Sequence, residues 1–239
     1  NQLLYINSSV KYPTTCKTCI DINVFPDQNR TFSFLKGIQY IINMTINEGC
    51  LMELVSNQTT LFENSTTTIK KCYLSNIPLI IKSTTKTTQS IHEAFVGLAC
   101  TNKLARHIPN FSYIYGCIEN KNERIVIKEH IEGNTLFDYI KSDDFNIKTY
   151  LSILIQIACA LQIAQQKYCF VHYDLAPWNI ILKKLDKPQT FCYNFDINRV
   201  FKIKTQFVPV IIDYEKSHCI HSHIHYGMAQ PYKTSTIQD

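Results

Sequence analysis

The sequence predicts an α+β protein built as a β-rich lobe followed by a helical lobe. Three observations predict it. Short β-prone runs crowd residues 61–130, an apolar helical pattern fills 147–167, and a further pair of β-prone runs follows that helix. With 239 residues, 45% hydrophobic and 18% charged, the chain is long enough to bury a core and too apolar for disorder. The formal charge of +5 is mild, and no dense Lys/Arg face is interleaved with aromatics, so nucleic acid is not an expected partner. No run of 18 or more apolar residues is present, and no membrane span is expected.

Element by element, residues 34–44 read equally as helix or strand, with Pro13, Pro26 and Asn29 marking loops. Residues 67–74 and 78–83 read as antiparallel strands joined at Ser75-Asn76. Ser90 reads as a helix N-cap before His92, Glu93, Phe95, Leu98 and Leu104. Two more strands follow at 111–118 and 124–130, then a break at Gly133-Asn134 and a helix from 136. In 147–167, Leu151, Leu154, Ile155, Ala158 and Leu161 recur at helical spacing and predict the buried face. Strands are expected at 180–182 and 208–212, with 183–207 between them as an inserted hairpin. Domain boundaries follow: an N-terminal extension over 1–60, a small lobe over 61–131 and part of a large lobe over 132–239.

The chemistry concentrates in Val-His-Tyr-Asp-Leu-Ala-Pro-Trp-Asn over residues 171–179. An Asp followed five positions later by an Asn, on a loop between an apolar helix and an apolar strand, suits phosphoryl transfer. The carboxylate of Asp174 can orient a hydroxyl and take its proton, and the amide oxygen of Asn179 can hold a divalent cation. A second apolar strand ends at Asp213-Tyr214-Glu215, offering another oxygen ligand. Lys82 ends the strand Pro-Leu-Ile-Ile-Lys, and Glu93 lies on the helix after it.

This set resembles the protein-kinase-like superfamily over residues 61–239. The loop is similar to H-R-D-x-x-x-x-N with His172, Asp174 and Asn179 matching; Asp213-Tyr214-Glu215 resembles D-F-G; Lys82 resembles the lysine of V-A-I-K. The resemblance implies a two-lobed kinase-like fold whose helical lobe is cut after the activation segment. It also implies ATP and Mg²⁺, with Asn179 and Asp213 as metal ligands, Lys82 on the phosphates and Glu93 as its partner. Asp174, Asn179, Lys82 and Glu93 become the catalytic set. The backbone at His130 and Ile131 would meet the adenine, with Lys128 as gatekeeper. By the same resemblance Asp239 opens the next large-lobe helix. The combination is similar to the divergent protein-kinase-like proteins of large DNA viruses, which implies a viral serine/threonine kinase in host cytoplasm or virion.

Departures from the pattern keep other readings open. No glycine-rich loop stands at 61–69, which admits a pseudokinase scaffold. Glu215 in place of glycine, and Ala176 where serine/threonine kinases keep a lysine, also resemble choline and ethanolamine kinases and admit a small alcohol as acceptor. Tyr173 replaces the arginine that would pair with a phosphorylated activation loop, so that mode of regulation is not expected. The ten cysteines are scattered and suggest no disulfide framework. His218, Cys219, His221, His223 and His225, and the pair Cys16/Cys19, read as ordinary loop residues over zinc ligands, since neither has a second ligand pair at metal spacing. Six Asn-x-Ser/Thr sequons, at Asn7, Asn29, Asn43, Asn57, Asn64 and Asn110, are equally explained by an Asn/Ser/Thr-rich composition.

Overall fold

β-Branched and aromatic residues dominate the first half of the chain, and there they build a five-stranded antiparallel sheet. The computed structural model describes residues 29–47, 55–105, 107–120, 123–196 and 199–227; Asn7, Cys16, Cys19 and Asp239 lie outside them. The strands are β1 (Val55–Glu63), β2 (Thr67–Leu74), β3 (Ile77–Thr84), β4 (Ile114–Asn120) and β5 (Glu123–Glu129), in the order β1-β2-β3-β5-β4. The sheet therefore starts before residue 61.

Period-two alternation gives this sheet two apolar faces. On one, Leu79, Ile81, Ile125 and Ile127 pack with Leu35, Ile38 and Ile42 of helix α1 (Asn29–Asn47). The segment that could be helix or strand is thus a helix, fixed by i, i+3, i+7 contacts to the sheet. On the other face, Val126 joins a larger core with Ala94 and Val96 of helix α2 (Thr87–Val96). That helix continues through a π-helical turn, Gly97–Thr101, and a short piece, Asn102–Leu104. Ser90 is not its N-cap. Lys86 caps the helix, and the Ser90 hydroxyl donates back to the Lys86 carbonyl at 3.3 Å.

Phe111 and Ser112, expected within a strand of the sheet, bond elsewhere, while the Tyr113 carbonyl still accepts from the Glu129 amide of β5 at 2.9 Å. Phe111 makes a parallel bridge to Ile211, and the Ser112 amide donates to the Ile211 carbonyl at 3.0 Å. The second part of the fold opens with the two-residue strand β6 (Asn134–Thr135) and helix α3 (Leu136–Lys141), started by a Thr135/Asp138 capping box. Helix α4 (Ile147–Tyr168) starts at Asn146, whose side chain accepts from the Lys148 and Thr149 amides, and ends at Cys169 in a left-handed conformation. Strands β7 (Ile180–Asp196) and β8 (Arg199–Ile211) form one long hairpin whose inner half carries the expected 180–182 and 208–212 runs.

The buried face of α4 differs from the expected one. Ile153, Ile157, Ala160, Ile163 and Ala164 enter the core with β7 and β8, whereas Leu151, Leu154 and Ile155 are 50%, 38% and 44% exposed. Both faces of this helix are apolar, so spacing alone does not choose between them; Gln156, donating to the Phe207 carbonyl at 3.0 Å, anchors the chosen one. Among the described residues α4 is also the helix long and apolar enough to cross a membrane. Its packed face lies in the same core as Val208 and Val210.

Candidate active site

Two loops, both forced into uncommon backbone conformations, face the end of β3. The loop after α4 holds Tyr173 at φ 59°, and the loop after β8 holds Asp213 at φ 67°. Left-handed geometry at non-glycine residues is strained and persists where surrounding contacts over-determine it. Here those contacts are visible. His172, fully buried, accepts from the Asp174 amide at Nδ1 (3.3 Å), so Nε2 carries the proton and donates to the Ile212 carbonyl at 2.9 Å. The Ile212 amide donates to the Asn179 carbonyl at 3.0 Å. The fully buried Tyr214 hydroxyl lies 3.0 Å from both the Ser112 and Ile211 carbonyls. His172 thus fixes the backbone of the other loop, and Tyr214 ties its own loop to the end of β8 and to Ser112.

Within this frame Lys82, Glu93 and Asp213 come together. The Lys82 ammonium donates to Glu93 at 3.0 Å, to Asp213 at 2.9 Å and to Glu215 at 3.0 Å. Glu93 is fully buried and also takes a hydrogen bond from Lys128, its neighbour across the cleft face of the sheet. Burial pulls the Lys82 pKa down, but Glu93, Asp213 and Glu215 outweigh it and hold the ammonium charged far above the usual lysine range. Burial likewise raises the Asp213 carboxyl, and Lys82 and Lys128 more than reverse it, so Asp213 titrates below its ordinary value.

On the other loop, the Asn179 amide nitrogen donates to the Asp174 carbonyl at 2.8 Å, leaving its amide oxygen for another partner. The Asp174 carboxylate pairs with Lys216 at 3.0 Å. Carboxylate oxygens of Glu93, Asp213 and Glu215 converge to within 4.8 Å. An all-oxygen donor set of Asp213, Glu215 and the Asn179 amide fits a hard divalent cation such as Mg²⁺.

His130 and Ile131 lie in the segment that leaves β5 and enters β6. Ile131 is buried in the large core, and burial, then Lys71, lowers the His130 pKa against the pull of Glu132. Gly133 anchors this segment. At φ 152° it passes so close to β7 that a Cβ would lie 2.2 Å from the Leu182 carbonyl oxygen.

The β1–β2 turn, where a glycine-rich loop was missing, is closed by Asn64. Its side-chain oxygen accepts from the Thr66 and Thr67 amides at 2.9 and 2.8 Å, an Asx turn that satisfies these N–H groups within the turn itself. Asn110, a sequon residue, is fully buried and donates to the Pro209 carbonyl at 2.9 Å, so the folded chain does not expose it to glycosylation. In the histidine-rich segment His218 meets His225 at 3.1 Å and His221 packs edge-on to Phe95. Cys219 packs against Cys100.

Sequence reasoning did not find three members of this site. Glu215 was a departure from a motif, Lys128 a gatekeeper, and Lys216 an unremarked loop lysine. Charge adjacent to Asp213 was the available signal for Glu215 and Lys216. For Lys128 the signal was its inward position on β5, two residues from Val126 on the same strand face.

A β-sheet lysine tied to a helix glutamate above an Asp-x₄-Asn loop and an Asp-bearing strand end defines a kinase-type fold. A model of the protein tyrosine and serine/threonine kinase family matches residues 46–204, and the chain belongs to that family. The chain is similar to uncharacterized protein 179R of Invertebrate iridescent virus 6, 34% identical over 75% of this chain and 18% of that protein. It is also similar to uncharacterized protein 035R of Invertebrate iridescent virus 3, 29% identical over 90% and 22%. Probable kinase 098L of the same virus is 33% identical over 47% of this chain and 21% of its own length. The chain thus spans about a fifth of the length of these relatives.

Proposed function

We propose that this chain carries the nucleotide-binding and catalytic centre of an ATP- and Mg²⁺-dependent kinase acting on serine or threonine hydroxyls of a protein. The observation that carries the reading is the meeting of Lys82 with both Glu93 and Asp213, beside the Asp174/Asn179 loop. In the reaction, Asp174 orients the acceptor hydroxyl and takes its proton as the oxygen attacks the terminal phosphorus. The bond from that phosphorus to its bridging oxygen breaks, and the electron pair leaves with the diphosphate. Lys82, steadied by Glu93, holds phosphate oxygens. Asp213 and Asn179 would hold Mg²⁺, whose chemistry when bound is to neutralise phosphate charge. The backbone at His130 and Ile131 takes the base.

Two observations favour competing versions. Glu215 beside Asp213 supports a small alcohol acceptor, such as a choline-like one, and the Asn64 turn supports a scaffold that does not turn over ATP. The test is Mg²⁺-dependent phosphoryl transfer from ATP in the whole protein, with protein and choline-like acceptors offered in parallel. The expected result is transfer to protein hydroxyls, lost by a factor of about 10³ or more in Asp213→Asn. Transfer only to the small alcohol supports the first alternative. Neither transfer nor a melting-temperature rise with Mg²⁺-ATP supports the scaffold.

A further inference from the structure

The catalytic loop carries no cation of its own: between Asp174 and Asn179 it reads Leu-Ala-Pro-Trp. Phosphoryl transfer places negative charge on the oxygens of the moving group, between the acceptor hydroxyl and the leaving diphosphate. Positioned donors at that point are among the largest contributions to rate. Asp174, which would orient the hydroxyl, instead receives its cation from the other loop, through Lys216 Nζ at 3.0 Å. We infer that Lys216 is a catalytic residue that supplies the charge absent from the loop, bridging Asp174 and the transferring phosphoryl group. This rests on the kinase reading above.

The surroundings fix Lys216 in that place. Tyr214, two residues earlier, is fully buried, and its carbonyl accepts from the Ser217 amide at 3.1 Å, closing a turn around Glu215 and Lys216. Ser217, one residue later, is held on both sides: its carbonyl accepts from His92 Nε2 at 2.6 Å, and its hydroxyl donates to the His172 carbonyl at 3.3 Å. Next, His218 and Val171 exchange backbone hydrogen bonds at 2.7 and 2.9 Å. The backbone of Lys216 is therefore pinned between fixed neighbours while its side chain remains 36% exposed. An ammonium on a flexible stem, with three donors, can keep one bond to Asp174 and offer the others to phosphoryl oxygens. During transfer the acceptor O–P bond forms, the bond to the bridging oxygen breaks with its electrons going to the diphosphate, and the hydroxyl proton passes to Asp174. Lys216 keeps its own proton throughout and acts by charge alone.

The test compares wild type, Lys216→Met, Lys216→Arg and the double variant Lys216→Met/Ala176→Lys in the whole protein, with saturating Mg²⁺-ATP and the acceptor that wild type uses. The expected kcat loss in Lys216→Met is about 10²-fold with ATP KM moved by less than about threefold, because the contact is made in the transition state. Lys216→Arg should retain most of the rate. The lysine at position 176, placed on the loop itself, should restore about tenfold or more of the loss. Melting temperatures equal to wild type confirm that each variant folds. Unchanged or faster turnover in Lys216→Met overturns the inference and leaves the kinase reading standing. A slow Lys216→Met that neither cationic variant improves also overturns it, because the lysine is then structural. No transfer by wild type overturns the kinase reading, and this inference with it.

Discussion

At the Lys82 ammonium three N–H donors meet three carboxylates, so every donor has a partner. Holding a phosphate there requires one carboxylate to let go. Glu93 is fully buried, while Asp213 and Glu215 reach solvent to similar extents, 27% and 24%; Lys128 also engages Glu93 and Asp213, so Glu215 is the one to turn away. Removing the ammonium itself leaves three converging carboxylates with Lys128 as the neighbouring ammonium. Lys82→Met is expected to cost about 3–5 kcal/mol in denaturant unfolding, the scale for orphaning a buried ion pair. Adding Glu93→Gln should return part of that loss, since it removes the buried charge left unpaired. A Lys82→Met protein as stable as wild type would show that the cluster tolerates its own repulsion.

Helix α4 shows where sequence reading stops. Its existence and span were legible from apolar periodicity over 147–167, but its orientation was not, because two apolar stripes run along it. Leu151, Leu154 and Ile155 make one, and Ile153, Ile157 and Ala160 the other. The expectation at this scale is direct. Ile153→Ala or Ile157→Ala should cost about 2–5 kcal/mol, whereas Leu151→Ala or Ile155→Ala should stay within about 0.5 kcal/mol. Thermal or urea unfolding decides it, and the reverse ranking would put the other stripe in the core. The loop elements were more legible. Asp174, Asn179 and Asp213 are spaced along two loops that flanking apolar strands announce, and Lys82 lies near the end of a strand of strong β propensity. Lys128 and Lys216 could be placed near the site by strand position and by charge beside Asp213, but their partners, Glu93 and Asp174, are set by tertiary structure and could not be read locally. The Ser90 cap failed for a related reason. The Thr84 hydroxyl accepts from the Lys86 amide at 3.1 Å, which starts the helix one turn earlier.

Across the whole molecule, the five-stranded sheet is a wall between two cores, with α1 on one side and α2 on the other. The inner strands of the small lobe are thus covered on both faces, while β1 beyond Val55 stays exposed. The large lobe has a different boundary, where Ile147, Leu151, Leu154 and Ile155 stand 56%, 50%, 38% and 44% exposed along one side of α4. Contiguous apolar surface of this kind drives association. Residues 1–239 produced alone should self-associate with rising concentration in light scattering, and Leu151→Glu with Ile155→Lys should reduce that association. A monodisperse wild-type monomer with a cooperative thermal transition would contradict the expectation.

Tyr214 carries a consequence for inhibitor chemistry. Its ring is enclosed by Phe111, Phe170 and His172, and its hydroxyl is held by main-chain carbonyls of Ser112 and Ile211. A compound that gains its room by swinging this side chain outward would expose a full aromatic ring, at roughly 1.5–3 kcal/mol, and also strand a buried hydrogen-bonding group. Such compounds should discriminate against this protein in favour of kinases whose corresponding ring lacks the hydroxyl tether. Compounds that occupy the cleft with Tyr214 left in place carry no such penalty.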